Sequence, residues 1–289
     1  MPPSCSNDWK REVPMPGLME GKRGLVMGVA NDHSIAWGIA KMLADHGAKL
    51  AFTYQGDALA KRVKPLAESV KSSFVMPCDV EDIASVDAVF DEIKKQWGTM
   101  DFLVHAVAYS NKDELKGRYA DTTRENFVRT MVISCYAFTE AAKRAAALMP
   151  NGGSMVTLTY NGGLRAMPNY NVMGVAKAGL EASVRYLAVD LGPQKIRVNA
   201  ISAGPIRTLA GAGITDARYM FAFQQKYSPL GRGVTLEELG GAGLYLLSDL
   251  STGVTGEVHF VDSGYNVVAM PQPEALKAAH GVVDGEGGK

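Results

Sequence analysis

Short apolar runs alternate with longer amphipathic segments along most of the chain, and this alternation constrains the fold more than any other feature. The runs are almost continuously apolar, which is typical of parallel strands that are buried on both faces. Amphipathic helices between such strands act as crossovers and cover the sheet. The predicted strands are Arg23–Val29, Lys49–Tyr54, Ser73–Pro77, Met100–Ala106, Gly153–Thr159, Arg197–Ser202 and Glu257–Val261.

The segments between the apolar runs have the periodicity of amphipathic helices. Gly47 and Gly192 follow two of them, at the position where a left-handed C-cap residue is favoured. The pattern predicts an α/β fold, a single-domain Rossmann-like doubly wound parallel sheet of about seven strands with helices on both faces. The predicted helices are Ile35–His46, Leu59–Ser69, Ile83–Trp97, Arg124–Leu148, Tyr170–Leu191 and Leu236–Leu247.

No internal repeat or linker interrupts this pattern, so one domain is predicted over residues 19–270. Residues 1–18 are rich in Pro and are predicted to form a poorly ordered N-terminal arm. Residues 271–289 end in Gly-Glu-Gly-Gly-Lys and are predicted to form a C-terminal tail of the same kind.

The composition argues against several classes of partner. Thirty basic residues balance thirty acidic residues, so neither nucleic acid nor a membrane surface is expected to bind. The N-terminal region lacks the apolar segment of a signal peptide, and no apolar run reaches the roughly 18 residues of a membrane span. The three cysteines are widely spaced and match no metal-binding pattern, so no metal site is expected. These properties predict a cytoplasmic protein with reduced thiols.

Two tyrosines and a lysine are the candidate catalytic residues. Tyr170 and Lys177 lie seven positions apart, and Tyr160 lies ten residues before Tyr170. Seven residues span about two helical turns, so the phenol and the ammonium are expected on one face of one helix. A phenol can donate a hydrogen bond to an oxygen that becomes an oxyanion, and a nearby ammonium stabilises the developing charge and can hold sugar hydroxyls.

This tyrosine–lysine pair, just past the middle of a βα-repeat chain, resembles the catalytic signature of short-chain dehydrogenase/reductase enzymes. Most of that superfamily has a gap of about four residues, whereas position 174 is Gly here. With its longer gap, the stretch 168–208 closely resembles the bacterial NADH-dependent enoyl-acyl carrier protein reductases. The likeness runs from about Leu18 to Met270. It implies reduction of a trans-2-enoyl thioester on acyl carrier protein, with NADH/NAD+ as cofactor, in the last reductive step of type II fatty-acid elongation.

The turn after the first strand departs from the usual dinucleotide fingerprint, because Ala30 holds the place of the second glycine. Small residues in such a turn let backbone N–H groups at a helix start approach a diphosphate. From the residues alone, a glycine-containing turn without a ligand is an equally good interpretation. The reductases use this longer variant, and the resemblance implies that Gly28, Ser34 and Ile35 line the cofactor.

Strand two ends at Gln55, where an NAD-binding unit usually has an acid for the ribose 2′-hydroxyl. The reductases have Gln at this place, which implies that Gln55 binds the ribose; an ordinary surface glutamine is the alternative. NADH is therefore predicted to be preferred, although Lys61 and Arg62 are near enough in sequence to leave NADPH open. Asp79 and Val80 resemble the family's adenine-contacting pair, whereas an aspartate at a strand end is often a helix N-cap.

Strand four ends at His105, and the run to Tyr109 is similar to the His-Ser-Ile-Gly-Phe of the reductases. The resemblance implies that Ala106, Val107 and Ala108 contact the cofactor, with Ala108 crowding the nicotinamide side where relatives have Gly. A lone histidine at the end of a buried strand is structural more often than catalytic, so His105 is assigned no catalytic role.

A Gly-Pro pair predicts a turn at the carboxyl end of strand six, the edge where open α/β sheets bind ligands. By resemblance, Ile206 and Thr208 contact the nicotinamide amide and the diphosphate. The Gly/Ala-rich segment Leu209–Met220 is a mobile lid over the acyl chain in the family; an ordinary surface helix is the alternative. Ala217 stands where relatives often have an aromatic residue, which leaves the shape of the acyl pocket open.

The resemblance also implies a division of roles. Tyr170 donates a hydrogen bond to the thioester oxygen, Lys177 holds the nicotinamide ribose, and Tyr160 shapes the site beside the thioester. The proton that completes the reaction can come from solvent through the ribose and Lys177. The implied substrate-binding residues are Ala108, Tyr160, Tyr170, Met173, Ala210, Ile214 and Met220.

The implied macromolecular partner is the acyl carrier protein, which is acidic in most bacteria. Arg207, Arg218 and Lys226 are the candidate contacts for it. The family is usually tetrameric, which implies a homotetramer, and phenolic enoyl-reductase inhibitors such as triclosan are expected to bind.

Two other functions fit parts of the sequence. A carbonyl reductase would share the fold and cofactor, but Gly174 and the lack of an Asn-Asn-Ala-Gly motif after strand four argue against it. A non-catalytic dinucleotide-binding regulator typically lacks the catalytic Tyr or Lys, and both are present here. An assay with NADH and a crotonyl thioester separates the three.

Overall fold

The computed structural model describes residues 17–206, 208 and 217–270, and it contains one seven-stranded sheet. All strand pairs are parallel, and the strands lie in the order β3-β2-β1-β4-β5-β6-β7. The predicted fold class is confirmed. The strands are β1 (Arg23–Met27), β2 (Lys49–Tyr54), β3 (Val75–Pro77), β4 (Phe102–His105), β5 (Gly153–Thr159), β6 (Ile196–Ala203) and β7 (Val258–Val261).

Helices join the strands as crossovers on both sides of the sheet. A π-helical segment, Val132–Tyr136, lies between α4 and α5. The helices are α1 (Ile35–Asp45), α2 (Gly56–Ser69), α3 (Ile83–Trp97), α4 (Arg124–Met131), α5 (Ala137–Ala147), α6 (Asn171–Leu191), α7 (Ala217–Tyr227) and α8 (Leu236–Leu247). None of those in the described ranges is long and apolar enough to cross a membrane.

Two apolar cores, one on each face of the sheet, hold these layers together. Successive strand residues point to opposite faces, and on β1 Val26 packs into the core with α1, α2 and α8. Its neighbours Leu25 and Met27 pack into the other core with α3, α5 and α6. Because both faces are covered, the carboxyl ends of the strands are left as the edge where a ligand can bind.

The strands at the centre of the sheet end earlier than predicted. β1 stops at Met27 because the chain turns at Gly28, where φ is +97°. A Cβ at Gly28 would collide with the backbone carbonyl of Ala106, so only glycine lets the two loops pass each other. β4 likewise ends at His105, and the loops that follow β1 and β4 meet at this edge.

Three helix predictions need correction. The predicted helix Arg124–Leu148 is divided by the π-helical segment, where one wider turn changes the register of the side chains. The predicted helix Tyr170–Leu191 begins at Asn171, so Tyr170 is its N-cap residue. The predicted helix Leu59–Ser69 begins earlier, at Gly56.

Of the two glycines predicted as left-handed C-caps, only Gly47 is one, with φ of +94°. Gly192 has φ of −54°, because α6 passes directly into a 3₁₀ turn. The left-handed residue is Lys195, with φ of +61°. The chain therefore reverses after this turn and not at the glycine.

Helix α7 overlaps the end of the predicted lid, Leu209–Met220, and the sequence did not predict it as a helix. Its first residues follow a run of glycines and alanines, which hides its periodicity. The remainder of the lid prediction, at residues 209–216, lies outside the described residues, as do Arg207 and the ranges 1–16 and 271–289. The predicted domain boundaries stay predictions.

Candidate active site

A cavity of about 330 Å³ opens at the carboxyl edge of the sheet, close to the point where the strand order reverses between β1 and β4. Open α/β sheets bind their ligands at this kind of place. The walls come from the ends of β4, β5 and β6, the start of α6, and α7. The predicted site residues that line it are Ile35, Ala106, Ala108, Tyr160, Tyr170, Met173, Lys177, Ile206, Thr208 and Met220.

Tyr170 is held at the entrance to α6 by an unusual stretch of backbone. Its neighbours Asn169 and Asn171 have φ of +56° and +33°, in the left-handed region that asparagine tolerates better than most residues. The Asn171 side chain donates to backbone carbonyls of residues 114, 116 and 117 at 3.2, 3.3 and 3.4 Å. Strained backbone that is fixed by its surroundings is common at functional sites. The start of α6 is therefore built to place the Tyr170 side chain.

The two tyrosines form a pair in the cavity wall. Tyr160, which directly follows β5, meets Tyr170 edge to face with ring centroids 5.2 Å apart. Burial raises the pKa of Tyr160 to about 12 and raises the pKa of Tyr170 further. Both phenols are thus protonated near neutral pH, and each can donate one hydrogen bond.

Lys177 is almost fully buried, with 7% of its surface exposed. Its Nζ donates to the carbonyl of Leu158 at 2.8 Å, at the end of β5. Burial lowers the pKa of Lys177 to about 8, and the half-buried carboxyl of Glu181, one turn further along α6, acts in the opposite direction. Lys177 is a buried, mostly charged group that retains further N–H donors for a ligand.

His105 is enclosed where β4 ends. Its ring lies against that of Phe138 with centroids 5.4 Å apart, and neither ring nitrogen has a hydrogen-bond partner among the described residues. Burial, with a smaller contribution from the Lys177 charge, lowers the pKa of His105 to about 3. The histidine is neutral at working pH, and its side chain does not line the cavity.

The β1–α1 turn leaves the start of α1 open to an anion. Ser34 is the N-cap residue, but its Oγ accepts from the N–H groups of Ala30 and Asn31, at 3.0 Å each, and does not cap the helix. No acidic residue occupies the first turn of α1. The positive end of the helix dipole therefore faces the same edge as the cavity, and this geometry fits a diphosphate.

Gln55 and Asp79, which follow β2 and β3, are brought together although they are 24 residues apart. Gln55 Nε2 donates to Asp79 Oδ2 at 2.9 Å. A carboxylate thus stands where the end of β2 lacks one, and it can accept from a ribose hydroxyl or an exocyclic amine. Lys61 and Arg62 both lie on the exposed side of α2.

Several predicted residues do not line the cavity. Val107 and Val80 are partly buried and pack against the core on one face of the sheet. Gly28 and Ser34 shape the β1–α1 turn. Ala210 and Ile214 lie outside the described residues.

The loop after β4 contributes cavity residues that the sequence did not single out as site residues, among them Tyr109. Three side chains four residues apart anchor this loop, and we call Asn126, Thr130 and Ser134 the polar ladder. Asn126 Oδ1 accepts a loop N–H at 3.0 Å, and Thr130 Oγ1 donates to a loop hydroxyl at 2.9 Å. Ser134 Oγ accepts from the N–H of Tyr109 and donates to its carbonyl, at 2.9 Å in both cases. The spacing of four was visible in the sequence, but its partners were not.

Helix α7 adds Met220 and Phe221 to the apolar part of the wall. One turn further along α7, Gln224 donates to the hydroxyl of Tyr160. Nothing in the sequence pointed to Gln224. The cavity therefore combines two neutral phenols and a buried cation with an apolar wall, an arrangement that can stabilise negative charge on an oxygen beside an aliphatic chain.

Known proteins resemble this chain over most of its length. The profile of a family described as Enoyl-(Acyl carrier protein) reductase matches residues 28–266. An enoyl-[acyl-carrier-protein] reductase [NADH] 2 of Rhizobium meliloti is 72% identical over 265 residues, which cover 92% of this chain and 99% of the relative.

Solved structures agree with this likeness. The enoyl-(acyl-carrier-protein) reductase of Anaplasma phagocytophilum in complex with NAD is 57% identical, with a TM-score of 0.86 over 89% of this chain and 98% of the other. The enoyl-acyl carrier protein reductase of Bacillus cereus with NADP+ and indole naphthyridinone is 49% identical, with a TM-score of 0.86 over 88% of this chain and 100% of the other.

Proposed function

The chain belongs to the enoyl-acyl carrier protein reductase family, and we propose from this premise how the residues of the cavity share the work of the reaction. The predicted family, activity and cofactor are confirmed: the protein is an NADH-dependent enoyl-acyl carrier protein reductase of fatty-acid synthesis. The observation that carries the division of roles is that Tyr160, Tyr170 and Lys177 line one cavity, in which two protonated phenols lie with a buried lysine.

NADH supplies the hydride for the β-carbon of the enoyl thioester. The open start of α1 would hold the diphosphate, and Gln55 with Asp79 would hold the adenosine end. Ile206 and Thr208 would lie on the nicotinamide side of the cavity. These groups are at one edge of the sheet, as an extended dinucleotide requires.

Tyr170 would donate its hydrogen bond to the thioester oxygen, on which negative charge collects as an enolate forms. Its high pKa means that the phenol donates without losing its proton in the free enzyme. Lys177 would bind the ribose hydroxyls and add positive potential, since its Nζ is already oriented by the carbonyl of Leu158. Tyr160 would place a second donor beside the first, and Met173 and Met220 would contact the acyl chain.

The acyl carrier protein would approach over α7. Arg218 and Lys226 are exposed on this helix, while Met220 and Phe221 face the cavity. The Arg218 guanidinium lies over the ring of its neighbour Tyr219 at 4.9 Å. An acidic carrier protein would meet these cations as the acyl chain enters. Phenolic inhibitors would occupy the same cavity and bond to Tyr170.

A homotetramer in the cytoplasm completes the proposal. On α6, Tyr186 and Val189 are three residues apart, and each is 75% exposed. Large apolar side chains on one face of a helix favour burial against another copy of the chain. Sedimentation would give a mass of four chains, and a monomer at micromolar concentration would contradict the assembly.

Absorbance at 340 nm, with NADH and a crotonyl thioester, tests the activity directly. Tyr170→Phe should leave the affinity for NADH nearly intact and reduce kcat by about 10²–10³, the usual effect of losing one oxyanion donor. Lys177→Ala should weaken NADH binding itself. Equal defects of the two variants in an NADH titration would show that the division of roles is wrong, and turnover of a simple ketone without turnover of the thioester would indicate a carbonyl reductase.

A further inference from the structure

Gln224 lies behind Tyr160 and does not line the cavity. Only 3% of its surface is exposed, and its Nε2 is 2.5 Å from the Tyr160 hydroxyl oxygen, to which it donates. The Tyr160 oxygen is thus occupied as an acceptor from behind. Its proton is left to point in another direction, and the cavity is the open side.

The other end of the same amide is unusual. Oε1 of Gln224 is buried and has no hydrogen-bond partner among the residues that the structure describes. A buried acceptor without a donor is costly, and a glutamine placed for packing alone would be replaced favourably by an apolar side chain of similar size. The one polar contact that the Gln224 side chain makes in the described structure is therefore the contact with Tyr160.

The position of Gln224 on α7 gives this contact a second consequence. Met220 lies four residues earlier, on the same side of the helix, and lines the cavity. The hydrogen bond between Gln224 and Tyr160 thus links α7, which contributes Met220 to the apolar wall of the cavity, to one of the two phenols. If α7 shifts, the Tyr160 hydroxyl loses the donor that orients it.

We propose that Gln224 is a positioning residue of this reductase. By donating to the oxygen of Tyr160, it directs the phenolic proton into the cavity. The same hydrogen bond makes the orientation of the Tyr160 hydroxyl depend on the position of α7. The proposal rests on the proposed role of Tyr160 as a donor beside the thioester. It requires a hydrogen-bond donor at position 224, because a group that can only accept would take the Tyr160 proton for itself.

Gln224→Leu removes the donor, keeps a similar side-chain volume and should lower kcat about tenfold, with NADH affinity unchanged. Gln225→Leu on the exposed side of α7 is the matched control and should keep wild-type kcat. The effect of Gln224→Leu should fall below about twofold in a Tyr160→Phe background, because the group through which Gln224 acts is then absent. An effect of the same size in both backgrounds would overturn the proposal.

Gln224→Glu tests the direction of the hydrogen bond. A protonated carboxyl donates to the Tyr160 oxygen as the amide does, whereas a carboxylate can only accept and turns the phenolic proton away from the cavity. The ratio of variant to wild-type kcat should therefore be near one at low pH and fall at least about fivefold as the pH rises through the pKa of the new carboxyl.

Other titratable groups that face Tyr160 are shared by both proteins and cancel in this ratio. They are Tyr170, packed on its ring, and Asp262 and Tyr265 in the loop after β7. If the ratio of Gln224→Glu kcat to wild-type kcat is constant or rises with pH, Gln224 does not donate to Tyr160 and the inference is wrong. A Tyr160→Phe variant with wild-type kcat would instead defeat the proposed role of Tyr160 as a donor, so the two failures are distinguishable.

Discussion

Replacement of His105 by leucine should remove much of the acid sensitivity of this protein's stability. The His105 ring is 1% exposed, lies against Phe138, and has no partner for either nitrogen in the described structure. Burial lowers its pKa from 6.5 to about 3 in the folded protein. The folded state therefore resists a proton that the unfolded chain accepts readily.

The sign and size of this change in the free energy of unfolding follow from the difference in proton binding between the folded and unfolded states. Well above pH 6.5 the histidine is neutral in both states and adds no pH dependence to stability. As the pH falls toward the folded pKa of about 3, only the unfolded chain binds the proton. Each pH unit between the two pKa values lowers the free energy of unfolding by about 1.4 kcal/mol. Between pH 7.5 and pH 5.0, His105 should thus reduce the free energy of unfolding by about 2 kcal/mol.

The assay is urea unfolding of wild type and His105→Leu at pH 7.5 and pH 5.0, at one fixed protein concentration. The wild type should lose about 2 kcal/mol more than the variant between the two pH values. His33→Gln is the control: this histidine is exposed, so the variant should keep the full wild-type loss. If His105→Leu loses as much stability as the wild type, His105 either stays neutral in both states or finds a proton partner when folded, and the reasoning is refuted.

Three further predictions concern the site. Asp79→Asn should reduce the preference for NADH over NADPH about tenfold in kcat/KM, because the carboxylate beside Gln55 repels a 2′-phosphate; an unchanged ratio would place the discrimination elsewhere. NADH should bind about tenfold more weakly at pH 9 than at pH 7, which a fluorescence titration would measure. The reason is that Lys177, with its pKa lowered to about 8, is charged below pH 8 and neutral above it. The Lys177→Met variant should bind NADH weakly at both pH values. Ser134→Ala should lower the free energy of unfolding by about 1–3 kcal/mol, because it leaves the N–H and carbonyl of Tyr109 without their partner. It should also raise KM for the enoyl substrate and leave the affinity for NADH intact. An unchanged KM would show that the loop keeps its position without the Ser134 member of the polar ladder.

The sequence by itself determined the fold class and the family. Apolar runs such as β5 need burial on both faces, and the helical periodicity between the runs leaves a covered parallel sheet as the architecture. Tyr170 and Lys177, which the sequence grouped by their spacing, line one cavity, since residues so close in the chain are brought near each other by local structure. Their catalytic roles stay a prediction. Local pattern also placed most strands and helices, with errors at their ends.

The tertiary structure alone decided the contacts between residues far apart in the chain. Gln55 meets Asp79 only because β2 and β3 are neighbours, and Gln224 reaches Tyr160 only because the fold brings α7 beside the residue that follows β5. The π-helical segment that brings Ser134 to the loop after β4 replaced a helix that the periodicity predicted as continuous. Periodicity reports which face of an element is buried, but the partner of a single polar atom depends on how separate elements pack, and no local pattern encodes that.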